Sequence, residues 1–122
     1  KIAIVGASKD LTKTSTIVMK YLQKRGFKVY PVNPSMKNEK ILNEIVYEKI
    51  SDIKSPIEIV NVFRPSNEAL AIAKEAVKIG AKVLWLQLDI TNEEARKVVE
   101  ANNILYIDDK CTKIEFEKLL NS

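Results

Sequence analysis

Lys1-Ile2-Ala3-Ile4-Val5-Gly6-Ala7-Ser8 opens the chain as a β-branched apolar run that ends in a glycine and a polar turn. Apolar residues at helical spacing follow, so the segment predicts a strand, a tight turn and a helix in direct succession. Such a turn directs backbone N–H groups and the positive end of a helix dipole at one point, which favours a bound phosphate. The turn lacks the full G-x-G-x-x-G or Walker pattern, so a tight strand-to-helix turn that needs a small residue is an equally ordinary explanation.

A second segment, Val29-Tyr30-Pro31-Val32-Asn33-Pro34, limits what that turn can bind. It lies roughly 20 residues after the glycine, where dinucleotide-binding domains carry the acidic residue that contacts the adenosine ribose. Here the apolar run ends in Asn33-Pro34 instead. The two segments together predict a nucleotide-like ligand other than NAD.

Strand and helix patterns alternate along the rest of the chain. The predicted strands are nearly continuous apolar runs, as expected for a parallel sheet covered on both faces, and they span residues 2–5, 27–32, 57–62, 83–86 and 104–107. We therefore predict an α/β fold: a Rossmann-like, doubly wound, five-stranded parallel sheet in a three-layer α/β/α sandwich. A single domain covers residues 1–122, and residues 45–47 form a short additional strand.

Helix boundaries are marked by glycines and by capping patterns. Gly26 and Gly80 follow apolar helical stripes and predict C-terminal stops. Thr91 with Glu94, and Thr112 with Glu115, fit the S/T-x-x-E capping box and predict two N-termini.

Composition excludes several classes of protein. Hydrophobic residues make up 46% and charged residues 30% of the chain, which is typical of a folded soluble domain. No apolar run or leader segment suggests a membrane span or a secretion signal. The single cysteine, Cys111, rules out an internal disulfide and fits a cytoplasmic location. Because the chain has no histidine, imidazole bases, phosphohistidine and the usual metal sites are excluded.

The net charge of +4 is unevenly distributed. Residues 1–54 carry 11 basic and 5 acidic groups, whereas residues 55–122 carry 9 basic and 11 acidic groups. The basic half contains the glycine turn, so its charge favours a polyanionic ligand. Nucleic acid is not expected, because Tyr21 and Phe27, the aromatic residues among these lysines, lie in packing positions.

Candidate binding residues follow the predicted strands, whose carboxyl ends meet at one edge of a doubly wound sheet. Lysines and hydroxyl side chains follow the first and second predicted strands. An aromatic ring and a guanidinium follow the third predicted strand, and an amide side chain follows the fourth. The candidates are Gly6, Ala7, Ser8, Lys9, Ser15, Asn33, Pro34, Ser35, Lys37, Phe63, Arg64 and Gln87. Thr12 and Thr14 add hydroxyls near the first helix, where either is equally suited to be its N-cap. Trp85 is expected in the core.

The order and separation of several short motifs resemble the small stand-alone CoA-binding proteins, whose domain is similar to the N-terminal domain of the succinyl-CoA synthetase α-subunit. The motifs are Val5-Gly6-Ala7-Ser8 with Ser15, Pro31-Val32-Asn33-Pro34, Val62-Phe63-Arg64, Gly80-Ala81-Lys82, Trp85-Leu86-Gln87-Leu88, Asn92-Glu93-Glu94-Ala95 and Asp109-Lys110-Cys111. The chain departs from the family at Asn43 and Asp89, where glycine is usual.

The resemblance implies a coenzyme A or acyl-CoA site. Ala7 and Ser8 N–H groups, with the hydroxyl of Ser8 or Ser15, are expected to hold the pyrophosphate. A basic side chain, Lys37, Lys9 or Arg64, is expected at the 3′-phosphate.

Phe63 and Pro34 are expected beside the adenine, and Gln87 near the pantetheine or a phosphate. CoA needs no ribose-binding carboxylate, because its 3′-oxygen already carries a phosphate.

Three functional classes remain open from the sequence. The main one is a non-catalytic CoA-binding module, because the related synthetases use a phosphohistidine that this chain does not contain. An enzyme is the alternative: either a thiol-exchange protein using Cys111, which lies between Lys110 and Lys113 at a helix start, or an NAD(P)-linked reductase. The third is a regulatory module that binds an unidentified protein partner according to whether CoA is present.

Overall fold

The computed structural model describes residues 1–120; the last two residues of the predicted domain lie outside this range. Helices and strands follow one another in the order β1 (Ile2–Val5), α1 (Thr14–Lys24), β2 (Val29–Val32), β3 (Lys40–Ile41), β4 (Glu44–Ile45), β5 (Ile59–Val62), α2 (Ala69–Ile79), β6 (Val83–Leu86), α3 (Glu93–Glu100), β7 (Leu105–Ile107) and α4 (Thr112–Leu120). Short 3₁₀ turns span Pro34–Met36, Ile50–Asp52 and Ser66–Glu68. No helix in the described part of the chain is long and apolar enough to cross a membrane.

The main sheet has five parallel strands in the order β2-β1-β5-β6-β7. The chain moves outward from β1 to β2, and then returns to β5 and continues in the opposite direction. The order therefore reverses between β1 and β5, which is the switch point of a doubly wound fold. The predicted Rossmann-like architecture is confirmed.

Side chains of alternate strand residues build two cores on opposite faces of this sheet. One core joins the sheet to α2 and α3 and includes Val5, Val32 and Val62. The other joins it to α1 and α4 and includes Ile2 and Ile4. The central strands are buried on both faces, which accounts for their continuous apolar sequence.

Some predicted strands are shorter in the structure. Phe27 precedes β2, because its N–H closes the end of α1 on the Leu22 carbonyl and its ring packs on Phe116 at 5.4 Å. Ile57 is buried but precedes β5. Residues 45–47 do not form one strand: Glu44–Ile45 pairs with Lys40–Ile41 as a hairpin, and Tyr47 makes a single bridge to Val32.

Both predicted capping boxes are wrong, although a helix begins near each. Asn92 rather than Thr91 is the N-cap of α3, and its Oδ1 accepts the Ala95 N–H at 2.9 Å. Thr112 is the first residue of α4, and its hydroxyl turns inward to buried polar groups. The predicted stops are confirmed, since Gly26 and Gly80 have φ of 90° and 72°.

Candidate functional site

A cleft of about 650 Å³ opens at the carboxyl ends of β1, β2 and β5, where the strand order reverses. Its size lies within the range usual for small-molecule sites. The lining residues come from the turn after β1, the start of α1, the loop after β2, the segment before Ile50–Asp52, the end of β5 and one side of α2. They are Val5, Gly6, Ala7, Ser8, Lys13, Thr14, Ser15, Val32, Asn33, Pro34, Ser35, Glu48, Lys49, Ile50, Phe63, Arg64, Glu68, Ile72 and Glu75.

The turn after β1 depends on Gly6. Its φ is +95°, and a Cβ atom there would lie 3.0 Å from Arg64 Cδ and 3.1 Å from the Phe63 carbonyl oxygen. This part of the floor therefore has room only for bare backbone.

Two amides of this turn are already hydrogen-bonded within the protein. The N–H groups of Gly6 and Ala7 both donate to the Val32 carbonyl, at 3.0 and 3.2 Å, extending the β1–β2 ladder beyond its last pair. The expectation that the Ala7 N–H is available to a phosphate is therefore wrong. Within residues 1–120, the Ser8 N–H donates to no protein acceptor.

The start of α1 supplies further unpaired donors. Lys13 is the N-cap, in extended conformation, and it provides no side-chain cap. The interpretation of Thr12 or Thr14 as N-cap is therefore wrong; the Thr12 hydroxyl donates to Asp10 instead, at 2.7 Å. The first helical amides, those of Thr14 and Ser15, have no acceptor within the described residues. The helix terminus facing the cleft is thus an uncapped, positive end of the dipole.

Three hydrogen bonds hold this turn and the loop after β2 in position. Thr16 Oγ1 donates to the Ser8 carbonyl at 2.7 Å, fastening the turn to the helix. Asn33 Nδ2 donates to the Ala7 carbonyl at 2.8 Å, and its Oδ1 accepts the Ser35 N–H at 2.9 Å. Asn33 is therefore used to shape the loop, with Pro34 and Ser35 presented at the rim.

Arg64 lies against Gly6 and forms a bidentate pair with Glu68, at 2.7 and 3.1 Å. These hydrogen bonds raise the pKa of the guanidinium and lower the pKa of the carboxyl group. Phe63 is half-buried beside them and lines the cleft, so it is both a packing residue and a wall of the site.

Several lining residues were not among the sequence-based candidates. Lys13 and Lys49 are exposed cations at the cleft, and within residues 1–120 neither ammonium group contacts a carboxylate. Glu75 and Ile72 reach the cleft from α2, one turn apart on the same face. The spacing of apolar residues in α2 indicates which of its side chains face the sheet. Residues 48–50 lie outside any long helix or strand, so no periodic pattern in the sequence could predict that they line the cleft.

Three predicted residues lie outside the cleft, and two of them are lysines. The Lys9 ammonium pairs with Glu39, and the Lys37 ammonium lies 3.7 Å from Glu48. Lys37 lines a neighbouring hollow of about 260 Å³, which shares Glu48 and Lys49 with the cleft. Each lysine lies on a loop that continues beyond the residues lining the cleft.

The third is Gln87, which is buried below the sheet edge with 4% of its surface exposed. It continues the alternation of β6 on the Trp85 side, toward Thr112 at the start of α4, and it is not among the residues that line the cleft. Its Oε1 accepts from Asn61 Nδ2 at 3.1 Å and from the Thr112 N–H at 3.0 Å. The expectation that the amide faces the crevice is therefore wrong.

Cys111 lies on that same side of the sheet, in the core between α1 and α4, with 7% of its surface exposed. It is not among the residues that line the cleft. Trp85 is in the core as predicted, and its indole N–H donates to the Lys110 carbonyl at 2.8 Å.

Comparison with known proteins identifies the family of this sequence. The family model described as CoA binding domain matches residues 1–117. The chain belongs to this CoA-binding domain family. The glycine turn, the free helix terminus and the loop after β2 are thus parts of a CoA-binding domain.

Relatives of this CoA-binding domain occur alone and within larger enzymes. An uncharacterized Bacillus subtilis protein, YneT, is 35% identical over 114 residues, covering 93% of this chain and 83% of that protein. An ADP-forming acetate–CoA ligase of Methanocaldococcus jannaschii is 31% identical over 81 residues, which is 66% of this chain but 11% of the ligase. A solved structure of a hypothetical protein from Pyrococcus horikoshii superposes with a TM-score of 0.94 at 38% identity, covering 98% of this chain and 83% of that one.

Proposed function

We propose that this protein binds coenzyme A or an acyl-CoA in the cleft at the switch point, as a binding module without catalysis of its own. The observation that carries the proposal is the uncapped start of α1, whose unpaired amides at Thr14 and Ser15 lie beside the free Ser8 N–H in the cleft of a CoA-binding domain. Unpaired donors at a helix start are well suited to a pyrophosphate.

The pyrophosphate is assigned to these three amides and to the Ser15 hydroxyl. Arg64 lies close to these donors because it packs against Gly6, but its guanidinium already forms an ion pair with Glu68. Lys13 and Lys49 are the cleft cations available for the 3′-phosphate. The apolar wall is suited to adenine and is formed by Val32, Pro34, Ile50, Phe63 and Ile72.

Neither enzymatic alternative gains a supporting observation. The Cys111 thiol is buried, with 7% of its surface exposed, and Cys111 is not among the residues that line the cleft. Asn33, at the position where NAD-binding domains carry a ribose-binding acid, is hydrogen-bonded to the protein through both atoms of its amide.

Thermal unfolding with added ligands tests the proposal. Because a ligand that binds only the folded state stabilises it by mass action, CoA at 100 times its dissociation constant adds about 2.7 kcal/mol. We expect CoA to raise the melting temperature more than dephospho-CoA does, and NAD to leave it nearly unchanged. A rise with NAD and none with CoA contradicts the proposal.

A further inference from the structure

The end of the cleft at α2 carries a carboxylate, that of Glu75, which is not paired with a protein donor within residues 1–120. Three glutamates line the cleft, and two of them face cations: Glu68 binds Arg64, and Glu48 lies 3.7 Å from the Lys37 ammonium. Glu75 is half-buried, yet within residues 1–120 it forms neither a hydrogen bond nor an ion pair. The carboxylate is partly desolvated and is still free to accept a hydrogen bond, so a ligand that reaches this end of the cleft can supply the donor.

The surroundings of Glu75 describe what that ligand group is. Ile72 lies three residues earlier on the same helical face, and Ile50 belongs to the 3₁₀ turn that packs on α2. Burial raises the pKa of Glu75, with Lys49 and Lys78 acting against the rise. The isoleucines suit a ligand group with an apolar face, and the carboxylate suits a hydrogen-bond donor at the edge of that group.

Charge argues that the group in contact with Glu75 is not a phosphate. The unpaired amides at Ser8, Thr14 and Ser15 and the positive helix end suit the pyrophosphate, whereas the carboxylate repels phosphate oxygens that would touch it. The part of a nucleotide that is flat, apolar and a donor at one edge is the base, and in adenine the donor is the exocyclic 6-amino group.

We propose that Glu75 is a specificity-determining residue that accepts a hydrogen bond from the exocyclic amine of the ligand's adenine, and so selects adenine over a base with a carbonyl at that position. This inference rests on the proposed CoA site and names the residue that reads its base. The flanking isoleucines exclude water from one side of the contact, which strengthens it.

Calorimetric titration with CoA and with desamino-CoA, whose adenine is replaced by hypoxanthine, tests this directly. The wild-type protein is expected to bind CoA at least about ten-fold more tightly, because the analogue places a carbonyl oxygen against the carboxylate. Glu75→Gln is expected to reduce this ratio to about one, since the amide can donate to the carbonyl. Glu48→Gln removes the same charge from the cleft and is expected to leave the ratio unchanged.

The outcomes separate this inference from the proposed function. Equal affinity of the wild-type protein for the two ligands overturns the role of Glu75 and leaves CoA binding in place. A ratio that survives in Glu75→Gln also overturns it. If CoA does not bind the wild-type protein at all, the proposed function fails and this inference fails with it.

Discussion

At the scale of single residues, Gly6 meets two demands that can be separated by experiment. It has a φ of +95° and no space for a Cβ, whereas Gly26 has a φ of +90° and open space within 4 Å of the position that a Cβ would take. We expect Gly6→Ala to lower the free energy of unfolding by roughly 2–4 kcal/mol, and Gly26→Ala by about 1 kcal/mol, which is the backbone component alone. Urea unfolding of both variants measures the difference. Equal losses would show that crowding by Phe63 and Arg64 is relieved without penalty.

Asp89 has the backbone conformation of a glycine. Its φ is +66° and its side chain is exposed, while its N–H donates to Asp109 Oδ1 at 2.8 Å. Glycine keeps that hydrogen bond and removes the strain of a left-handed residue, so we expect Asp89→Gly to stabilise the fold by about 0.5–1 kcal/mol. Chemical denaturation of the variant measures this. Asp89→Ala, which keeps the strain, is expected to be no more stable than the wild-type protein.

These positions show what the sequence could and could not indicate about the site. Gly6, Asn33 and Arg64 follow apolar strands, and the rule that parallel strands end at one edge was sufficient to place them at the cleft. Gln87 follows a strand as well, but its side chain faces α4, because adjacent side chains of a strand point to opposite faces. A position directly after a strand thus predicted that a residue lies at the carboxyl edge of the sheet. The face of the sheet to which its side chain points depended on its place in the alternation along the strand. Lys13 and Lys49 could not be distinguished from other lysines, because their placement depends on turns without a periodic pattern.

At the scale of secondary-structure elements, α4 is attached to the sheet by a buried polar cluster made of Asn61, Gln87 and Thr112. Asn61 Oδ1 accepts the Thr112 hydroxyl at 2.9 Å, and Gln87 Oε1 accepts the Thr112 N–H. Gln87 therefore acts as the cap that a Thr112 capping box was predicted to supply.

Replacing Gln87 tests two statements: that its side chain caps α4, and that it does not contact the ligand in the cleft. Gln87→Leu leaves the buried Thr112 N–H without an acceptor, whereas Asn61 Nδ2 keeps its hydrogen bond to the Trp85 carbonyl, so we expect a loss of roughly 1–3 kcal/mol in unfolding free energy. The dissociation constant for CoA should stay within about two-fold of the wild-type value. A variant that is stable but binds CoA tenfold more weakly would assign Gln87 to the ligand after all.

The junction of β7 and α3 contains a tyrosine with a shifted titration. The Tyr106 hydroxyl donates to Asp108 Oδ2 at 2.8 Å and accepts the Asn92 N–H at 3.1 Å. Burial raises the pKa of Tyr106 to about 12. Because the unfolded chain loses this proton near pH 10, the stability contributed by the hydroxyl is intact below pH 10 and is lost between about pH 10 and 12.

Absorbance at 295 nm measures this titration, with Tyr106→Phe as the matched control. The difference between the two titration curves is expected to have its midpoint near pH 12. A midpoint near pH 10 would mean that the hydroxyl is solvated and that the junction is not closed as described.

At the scale of the whole molecule, the basic half of the chain and the cleft coincide. Residues 1–54 carry 11 basic and 5 acidic groups. They also supply all the residues that line the cleft except Phe63, Arg64, Glu68, Ile72 and Glu75. This field favours a polyanion, but the lysines differ in what they already bind: Lys9 and Lys37 face glutamates, whereas Lys13 and Lys49 face the cleft. Total charge therefore sets how fast an anionic ligand arrives, and the unpaired cations determine how tightly it is held.

Four single lysine-to-alanine variants separate these contributions. Lys13→Ala and Lys49→Ala are expected to weaken CoA binding about three- to ten-fold each at low salt and to reduce its dependence on ionic strength, because a cation close to a phosphate is lost. Lys9→Ala and Lys37→Ala remove the same charge outside the cleft, so their effect is expected to stay below about two-fold. If one of the first pair binds the 3′-phosphate, that variant should lose little affinity for dephospho-CoA. Equal effects of all four variants would indicate that the protein attracts CoA through its overall charge rather than through contacts in the cleft.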